Sequence, residues 1–379
     1  MIPRLLILVP LLHLYVGLRL LPDLPLEAFG LAAASLVLVL SAALIPLAML
    51  SRRMPDRRRA DMLAWAGFVA MGLFSSVLVL TFLRDVCLLA GTAAGFFIAI
   101  YDALRSFRDR SAIAVPLLAL ILSIAGFVNA RRRAAVRSVE VAIDGLPAPL
   151  HGFTIAQITD VHVGPTIKRG YLEAIVDAVN AMEADLIAVT GDMVDGSVKE
   201  LAWHMQPLAR LTARHGVFFV TGNHEYYSGV HGWLVELERL GLRVLMNEHV
   251  VLEHRGASLV LAGVTDFHAE YFDPAHKSDP AAAIAGAPAG AGMKLLLAHQ
   301  PRSAFEAARS GFDLQLSGHT HGGQFLPWMF LVRLQQPFIA GLHRLDKLWV
   351  YTSRGAGYWG PPKRLGAPAE ITCIRLVPA

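Results

Sequence analysis

Residues 31–50, "LAAASLVLVLSAALIPLAML", form an unbroken uncharged run, and about 20 such residues are what a helix needs to cross the hydrocarbon core of a bilayer. It is the clearest part of a candidate span near 27–50, and further apolar stretches lie near 4–21, 62–83, 86–101 and 112–130. These runs explain a 379-residue chain that is 55% hydrophobic and only 17% charged, with mean hydropathy +0.49, too apolar for one ordinary soluble domain. Almost all of them precede residue 130. The chain therefore reads as a transmembrane helical region, 1–135, of four or five spans, followed by a water-soluble domain, 136–379.

The net charge of +4 and pI near 9.2 would suit nucleic acid if the basic residues formed a surface. They cluster instead in short loops between apolar runs, at Arg52, Arg53, Arg57 to Arg59 and Arg131 to Arg133, which is how membrane-flanking loops look. No nucleic-acid partner is expected. Cys87 and Cys373 are the only cysteines, so neither a disulfide framework nor a Cys-based zinc site is available. The first stretch contains Pro10, His13 and Arg19 and lacks a small-residue cleavage site with a polar start after it, which favours an uncleaved helix over a signal sequence.

Arg84 and Asp85 interrupt an apolar stretch twice the length of one span, and that length favours reading them as a tight turn between two spans over reading them as an intramembrane ion pair. Placing the Arg-bearing loops 51–61 and 102–110 in the cytoplasm then puts the N-terminus inside and, after five spans, the soluble domain outside. That arrangement also leaves Arg131, Arg132, Arg133 and Arg137 outside. If the Arg84 region does not separate two spans, parity reverses and the domain faces the cytoplasm. Arg-rich, Lys-poor, Ala-rich usage suggests a GC-rich bacterial genome and hence a bacterial inner membrane.

From about residue 138 short β-branched runs alternate with helical ones, which predicts an α/β domain. "GFTIAQITDVHVG" reads as a strand, 153–158, that ends in Asp160 and His162. An amphipathic helix and the strand "LIAVT" then lead to Asp192 in "GDMVDG", and helix 199–213 and strand "GVFFVTG" lead to Asn223, His224 and Glu225. "MKLLLAH" ends at His299, and "DLQLSGHTH" at His319 and His321. Strands of an α/β sheet present ligand-binding residues at their carboxyl ends, so five strand ends bring Asp, His and Asn side chains to one edge. Such thiolate-free donors suit Mn, Fe or Zn. Gly164, Gly191, Gly222, Gly318, Gly322 and Gly323 flank these ligands, where turns need positive φ or close backbone approach.

In order, "DVH", "GDMVD", "GNHE", "AH" and "GHTH" resemble the five blocks of the calcineurin-like metallophosphoesterases, and the flanks "LSGHTHGGQFLP" and "YTSRGAGYWGPPKRLGAPAEITCIRL" resemble its membrane-anchored branch. The resemblance implies a four-layer α/β/β/α sandwich with two divalent or trivalent first-row ions. One would be held by Asp160, His162, Asp192 and His321, the second by Asp192, Asn223, His299 and His319, with Asp192 bridging. Water activated by the ions would attack phosphorus, since paired ions stabilise both the entering and the leaving oxygen of an in-line displacement. His224 would protonate or stabilise the leaving oxygen and Asp195 would orient it, unless Asp195 merely caps the next helix. Glu225 is expected to be structural. Gly196 stands where the protein phosphatase branch has Arg, so protein phosphatase activity is not implied.

"FLPWMFLVRLQQPFIAGLHR", 325–344, is apolar for a loop and carries Trp328, Phe330 and Arg333. It is either a lip facing lipid or core joining two strands. A membrane lipid and a lipid-linked phosphoester are the expected partners, with UDP-2,3-diacylglucosamine, a pyrophosphate cleaved in lipid A synthesis, as the sharper alternative. In a reading of another class, the helices act as a transporter or sensor and the second domain regulates them. The scarcity of ionisable groups in the spans speaks against a transport path.

Overall fold

The computed structural model describes residues 2–51, 54–97 and 99–379, so Arg52 and Arg53 of the basic loop and Ile98 lie outside the described residues. The chain divides into two compact units, one of Met1–Asn129 with Gly360–Leu365, the other of Ala130–Trp359 with Gly366–Ala379.

The first unit is built from α1 (Ile2–Leu20), α2 (Ala28–Leu50), α3 (Arg57–Ala94) and most of α4 (Tyr101–Arg131). Among the described residues these four helices are long and apolar enough to cross a bilayer, and their outward faces carry large apolar side chains such as Phe29, Val39 and Ile121, which suit lipid rather than water. The turn expected at Arg84 and Asp85 is absent: α3 runs through both as one helix of 38 residues. At 1.5 Å per residue it spans about 57 Å, so its length exceeds one bilayer core without a second crossing. Of residues 86–101, expected to be a span, 86–94 are the end of α3, 95–97 a turn and Tyr101 the start of α4.

What makes the uninterrupted helix tolerable is that Arg84 is buried and fully engaged. It donates to the Ser111 hydroxyl at 2.9 Å and to the Arg19 and Arg108 carbonyls at 3.0 and 3.1 Å, and it pairs with Asp23. Asp85 accepts from Tyr15 at 2.7 Å and from Arg19 at 2.9 and 3.0 Å. One network thus ties the end of α1 to α3 and α4. The segment Gly360–Leu365 is fixed to the same helices: Lys363 Nζ donates to the Gly72 carbonyl and the Ser76 hydroxyl, both at 2.6 Å, and to Ser123 at 3.1 Å.

The second unit contains two six-stranded sheets. One, ordered β1-β12-β2-β3-β4-β5, comprises β1 (Ala135–Ile143), β2 (Thr154–Ile158), β3 (Leu186–Val189), β4 (Val217–Phe219), β5 (Arg243–Val244) and β12 (Glu370–Pro378). The other, ordered β10-β11-β9-β8-β7-β6, comprises β6 (Glu248–His254), β7 (Ala257–Gly263), β8 (Met293–Leu297), β9 (Leu314–Ser317), β10 (Gly341–Leu345) and β11 (Leu348–Thr352). Their inner faces share one core, in which Ile155, Leu186 and Phe218 meet Leu261, Leu295 and Leu316.

Helices cover the outer faces. α5 (Arg169–Asn180) turns Leu172, Ile175, Val176 and Val179, spaced for one helical face, onto the first sheet; α6 (Val198–Met205) and, after the one-turn α7 (Asn223–Tyr227), α8 (Val230–Arg239) join it. α9 (Pro280–Ile284) and α10 (Ala304–Arg309) cover the second. The result is the four-layer α/β/β/α arrangement that the family resemblance implies. Neighbours β2, β3 and β4 are parallel, as are β8 and β9, so each group delivers its following loops to one edge.

Because Arg84→Gln removes the buried partner of Asp23, leaving it only the more distant Arg108 at 3.4 Å, and takes the donor from two carbonyls, it is expected to lower the stability of the detergent-solubilised protein by about 3 kcal/mol. Thermal unfolding followed by circular dichroism checks this.

Candidate metal centre

The loops after β2, β3 and β4 bring in Asp160, His162, Asp192, Asp195, Asn223 and His224, and those after β8 and β9 bring in His299, His319 and His321. All are buried except His319, which is partly so. The two sheets are cross-tied at this edge: Gln157 Nε2 donates to the Ser317 carbonyl at 2.9 Å, and the His319 N–H donates to the Asp160 carboxylate at 2.9–3.0 Å.

Donor atoms fall into two groups sharing Asp192. In one, His321 Nε2 lies 3.0 Å from His162 Nε2 and 3.3 Å from Asp160 Oδ1, and His162 Nε2 lies 3.8 Å from Asp192 Oδ2. In the other, His299 Nε2 lies 3.1 Å from Asp192 Oδ2 and 3.2 Å from His319 Nδ1. Adjacent Asn223 has its Oδ1 buried with no hydrogen-bond partner, a cost of about 1–3 kcal/mol unless a cation takes up the lone pairs. Facing imidazole nitrogens, an orphaned amide oxygen and two carboxylates are a donor set that fits a pair of first-row ions.

The backbone is strained at the candidate ligands themselves. Asp160, His162, Asp192, His319 and His321 have φ between 52° and 70°, a region that costs a non-glycine residue about 1–3 kcal/mol and is concentrated at functional sites. Ladder-like bonds between the loops hold them there, among them Asp160 N–H to the Gly191 carbonyl and His162 N–H to the Asp192 carbonyl, both at 3.1 Å. Of the flanking glycines, Gly191, Gly322 and Gly323 have positive φ. Gly222 and Gly318 serve close approach instead: a Cβ would lie 2.2 Å from Asp192 Oδ1 at the first and 2.1 Å from Asp160 Oδ2 at the second.

Electrostatics follow from crowding. Burial alone would push the Asp192 carboxyl up, but His299, His224 and His162 beside it hold it well below the usual carboxylate range. Burial likewise favours a neutral His299, yet Asp192 and Asp160 raise it well above an ordinary histidine. Burial and the neighbouring His299 push His319 down to about 3, leaving it a lone-pair donor. Asp195 pairs closely with His224 Nδ1 and lies 3.5 Å from His162 Nδ1. Against the pull of burial, those two rings hold its carboxyl well below the ordinary range. It is not the cap of the next helix, because Ser197 and Glu200 form a capping box there.

The pattern of one family, described as calcineurin-like phosphoesterase, matches residues 153–323. The transmembrane protein with metallophosphoesterase domain of Bos taurus is 37% identical over 309 residues, covering 79% of this chain and 69% of that protein. An uncharacterized metallophosphoesterase of Campylobacter jejuni is 33% identical over 311 residues, covering 79% of this chain and 81% of the relative. The chain belongs to the calcineurin-like phosphoesterases. Members of that family use a dinuclear metal centre. The Danio rerio relative, 36% identical, is matched over 73% of this chain and 64% of its own length, so the chain spans about two thirds of the vertebrate proteins. The solved NAD nucleotidase of Haemophilus influenzae is 16% identical, with a TM-score of 0.40 over 54% of this chain and 45% of that one.

In this metallophosphoesterase domain several supporting residues escape a search for ligands. Glu225, next to His224, accepts from the backbone N–H groups of Gly222, Asp192 and Met193 at 2.7–2.9 Å, clamping two ligand loops together; its position inside "GNHE" was the only signal. Thr159 donates to Asp160 at 2.7 Å, and the Thr190 carbonyl lies 2.7 Å from His299 Nδ1, where it fixes the ring so that Nε2 faces Asp192. The rings of Tyr227 and Trp359 stand edge-on to His224, with centroids 5.2 and 5.7 Å away.

Gly318→Ala is expected to weaken Mn2+ binding by about 10- to 100-fold, the scale for displacing a ligand's support. Gly170→Ala, where nothing lies within 4 Å of a new Cβ, should bind as the unaltered protein does. Calorimetric titration of both variants after chelator treatment measures the difference.

Proposed function

We propose that the protein is a membrane-bound, metal-dependent hydrolase of a lipid-linked phosphate ester or pyrophosphate. The observation that carries the lipid part of this reading is the apolar lip beside the donor cluster. Within 325–344, Phe325 is buried and Phe338 packs on the core of the second sheet, but Trp328, Phe330, Leu331 and Leu334 are 44–83% exposed on α11 (Trp328–Leu331) and the single 3-10 turn after it, which supports the lip. The lip follows the ligand loop directly, with Met329 packed over Gly323. Gln324 joins it to Trp359 through two hydrogen bonds of 3.0 Å, and Trp359 flanks His224.

When bound, the two ions would polarise the phosphoryl oxygens and supply an activated water. Asp160, His162, Asp192 and His321 would hold one, and Asp192, Asn223, His299 and His319 the other. The chain's own remaining task is proton transfer. The Asp195 carboxylate, kept ionised, holds His224 through Nδ1 and stabilises its cationic form, so that Nε2 carries a proton toward the leaving oxygen. Tyr227 and Trp359 restrict that ring to one orientation, and the lip takes up the hydrocarbon part of the substrate.

One observation favours the sharper reading, UDP-2,3-diacylglucosamine. Arg57–Arg59 and Arg131–Arg133 are separated by two crossings, α3 and α4, so both Arg groups fall on one face of the membrane. Arg105, Arg108 and Arg110, at the start of α4, then fall on the other face, contrary to the cytoplasmic placement of 102–110, but the six Arg of the two groups outnumber these three; that excess supports a cytoplasmic domain with access to nucleotide sugars. The outward orientation expected from five spans loses its premise with the continuous α3. The transporter or sensor reading gains nothing from Arg19, Arg84 and Asp85, which are engaged with one another and their neighbours.

Asp192→Asn, and the unaltered protein after chelation, should lose hydrolysis of a chromogenic phosphodiester by more than about 100-fold; full activity in either would refute a metal-dependent hydrolase. Trp328→Ser with Phe330→Ser should raise KM for a long-chain acyl phosphoester by about tenfold or more, the scale of one or two buried apolar side chains. It should leave kcat and a short-chain analogue unchanged. Equal effects on both chain lengths would remove the lipid reading.

A further inference from the structure

Away from the two-ion centre, the short sequence "DPAH", Asp273 to His276, has no role in the reading above. Asp273 caps a single 3-10 turn, Pro274–His276, with Oδ1 accepting from the Ala275 N–H at 3.0 Å. That leaves Oδ2 on the side where His276 and, from the first turn of α8, His231 also arrive. His231 Nε2 lies 3.5 Å and His276 Nε2 3.8 Å from Asp273 Oδ2, and the three donor atoms lie within 4.8 Å of one another.

These separations are too long for good hydrogen bonds but close to the spacing of neighbouring ligands around one ion. Bonds of about 2.0–2.2 Å in a tetrahedron put ligand atoms about 3.3–3.6 Å apart. The tautomer is also prepared. His276 Nδ1 lies 3.1 Å from the Tyr226 hydroxyl, and an Nδ1–H donating to that oxygen leaves the Nε2 lone pair facing Asp273, the arrangement of metal-binding histidines. His276 is largely buried and Asp273 partly so, while the His231 side chain is 73% exposed. The site is therefore open to solvent on one side, where water would complete the coordination.

We propose that His231, Asp273 and His276 hold a third first-row metal ion, separate from the two-ion centre, which braces one wall of the active-site mouth. The bracing follows from what the three residues join. His231 starts α8, Tyr226 belongs to α7 with Asn223 and His224, and Asp273 directly follows Phe272. Phe272 packs on Tyr226 and Tyr227 with ring centroids 5.7 and 5.5 Å apart, and Tyr227 packs on His224. An ion here would pin the segment after Phe272 to α8, which directly follows the turn of helix that carries His224. Only this consequence rests on the proposed role of His224; the binding of the ion does not.

The test counts zinc in the full-length, detergent-solubilised protein, stripped with chelator, re-equilibrated at one fixed free Zn2+ concentration and analysed by elemental mass spectrometry. The unaltered protein should retain one more zinc per chain than His231→Ala and than Asp273→Asn, whatever the occupancy of the two-ion centre. His231→Ala removes an exposed side chain, so its metal-free melting temperature should equal that of the unaltered protein while its zinc-induced rise is smaller. Equal zinc counts in all three proteins would overturn the proposal, even if every variant were an active hydrolase.

Discussion

Asp192 sits where two sheets meet, and its buried carboxylate cannot stand without positive partners. A lone charge in such a place would take up a proton. Here His299 approaches to 3.1 Å from one sheet, and the His224 N–H donates to Oδ1 at 2.8 Å from the other. His162 and His224 add to the pull. The rest of the site is arranged to keep this convergence in place: left-handed backbone at five ligands, glycines where the loops nearly touch, and Glu225 holding three amide groups of the first sheet's loops. A dinuclear ion pair would suit such a place, since it would add cationic charge beside the Asp192 carboxylate.

How much of this was legible in the sequence depends on the range of the interaction. The strands Leu186–Val189 and Met293–Leu297 are almost wholly apolar because they are buried on both faces, and each ends two or three residues before a candidate ligand, His299 or Asp192. That repetition made the strand ends readable. The left-handed φ values were not, because aspartate and histidine, though enriched at positive φ, mostly lie elsewhere, and the loop-to-loop bonds that impose it on Asp160 and His162 join residues about 30 apart. Asp195 could be separated from a helix cap only once Ser197 and Glu200 were seen closing the capping box.

The membrane half misleads for a related reason. A charged pair inside an apolar stretch normally ends a span, and nothing local to Arg84 and Asp85 says otherwise. Their partners Asp23, Tyr15, Arg19 and Ser111 come from three other segments, and only those long-range bonds let α3 continue. Under the proposed reading, a continuous α3 would change the number of crossings and with it the side of the membrane assigned to Arg131–Arg133.

The central claim is that Asp192 bridges two ions, and electron paramagnetic resonance of the full-length protein loaded with Mn2+ tests it most directly. Two ions sharing a carboxylate are predicted to give the broadened spectrum of an exchange-coupled pair, appearing as the second ion is added. A spectrum made up only of isolated, uncoupled Mn2+ at full loading would contradict the account.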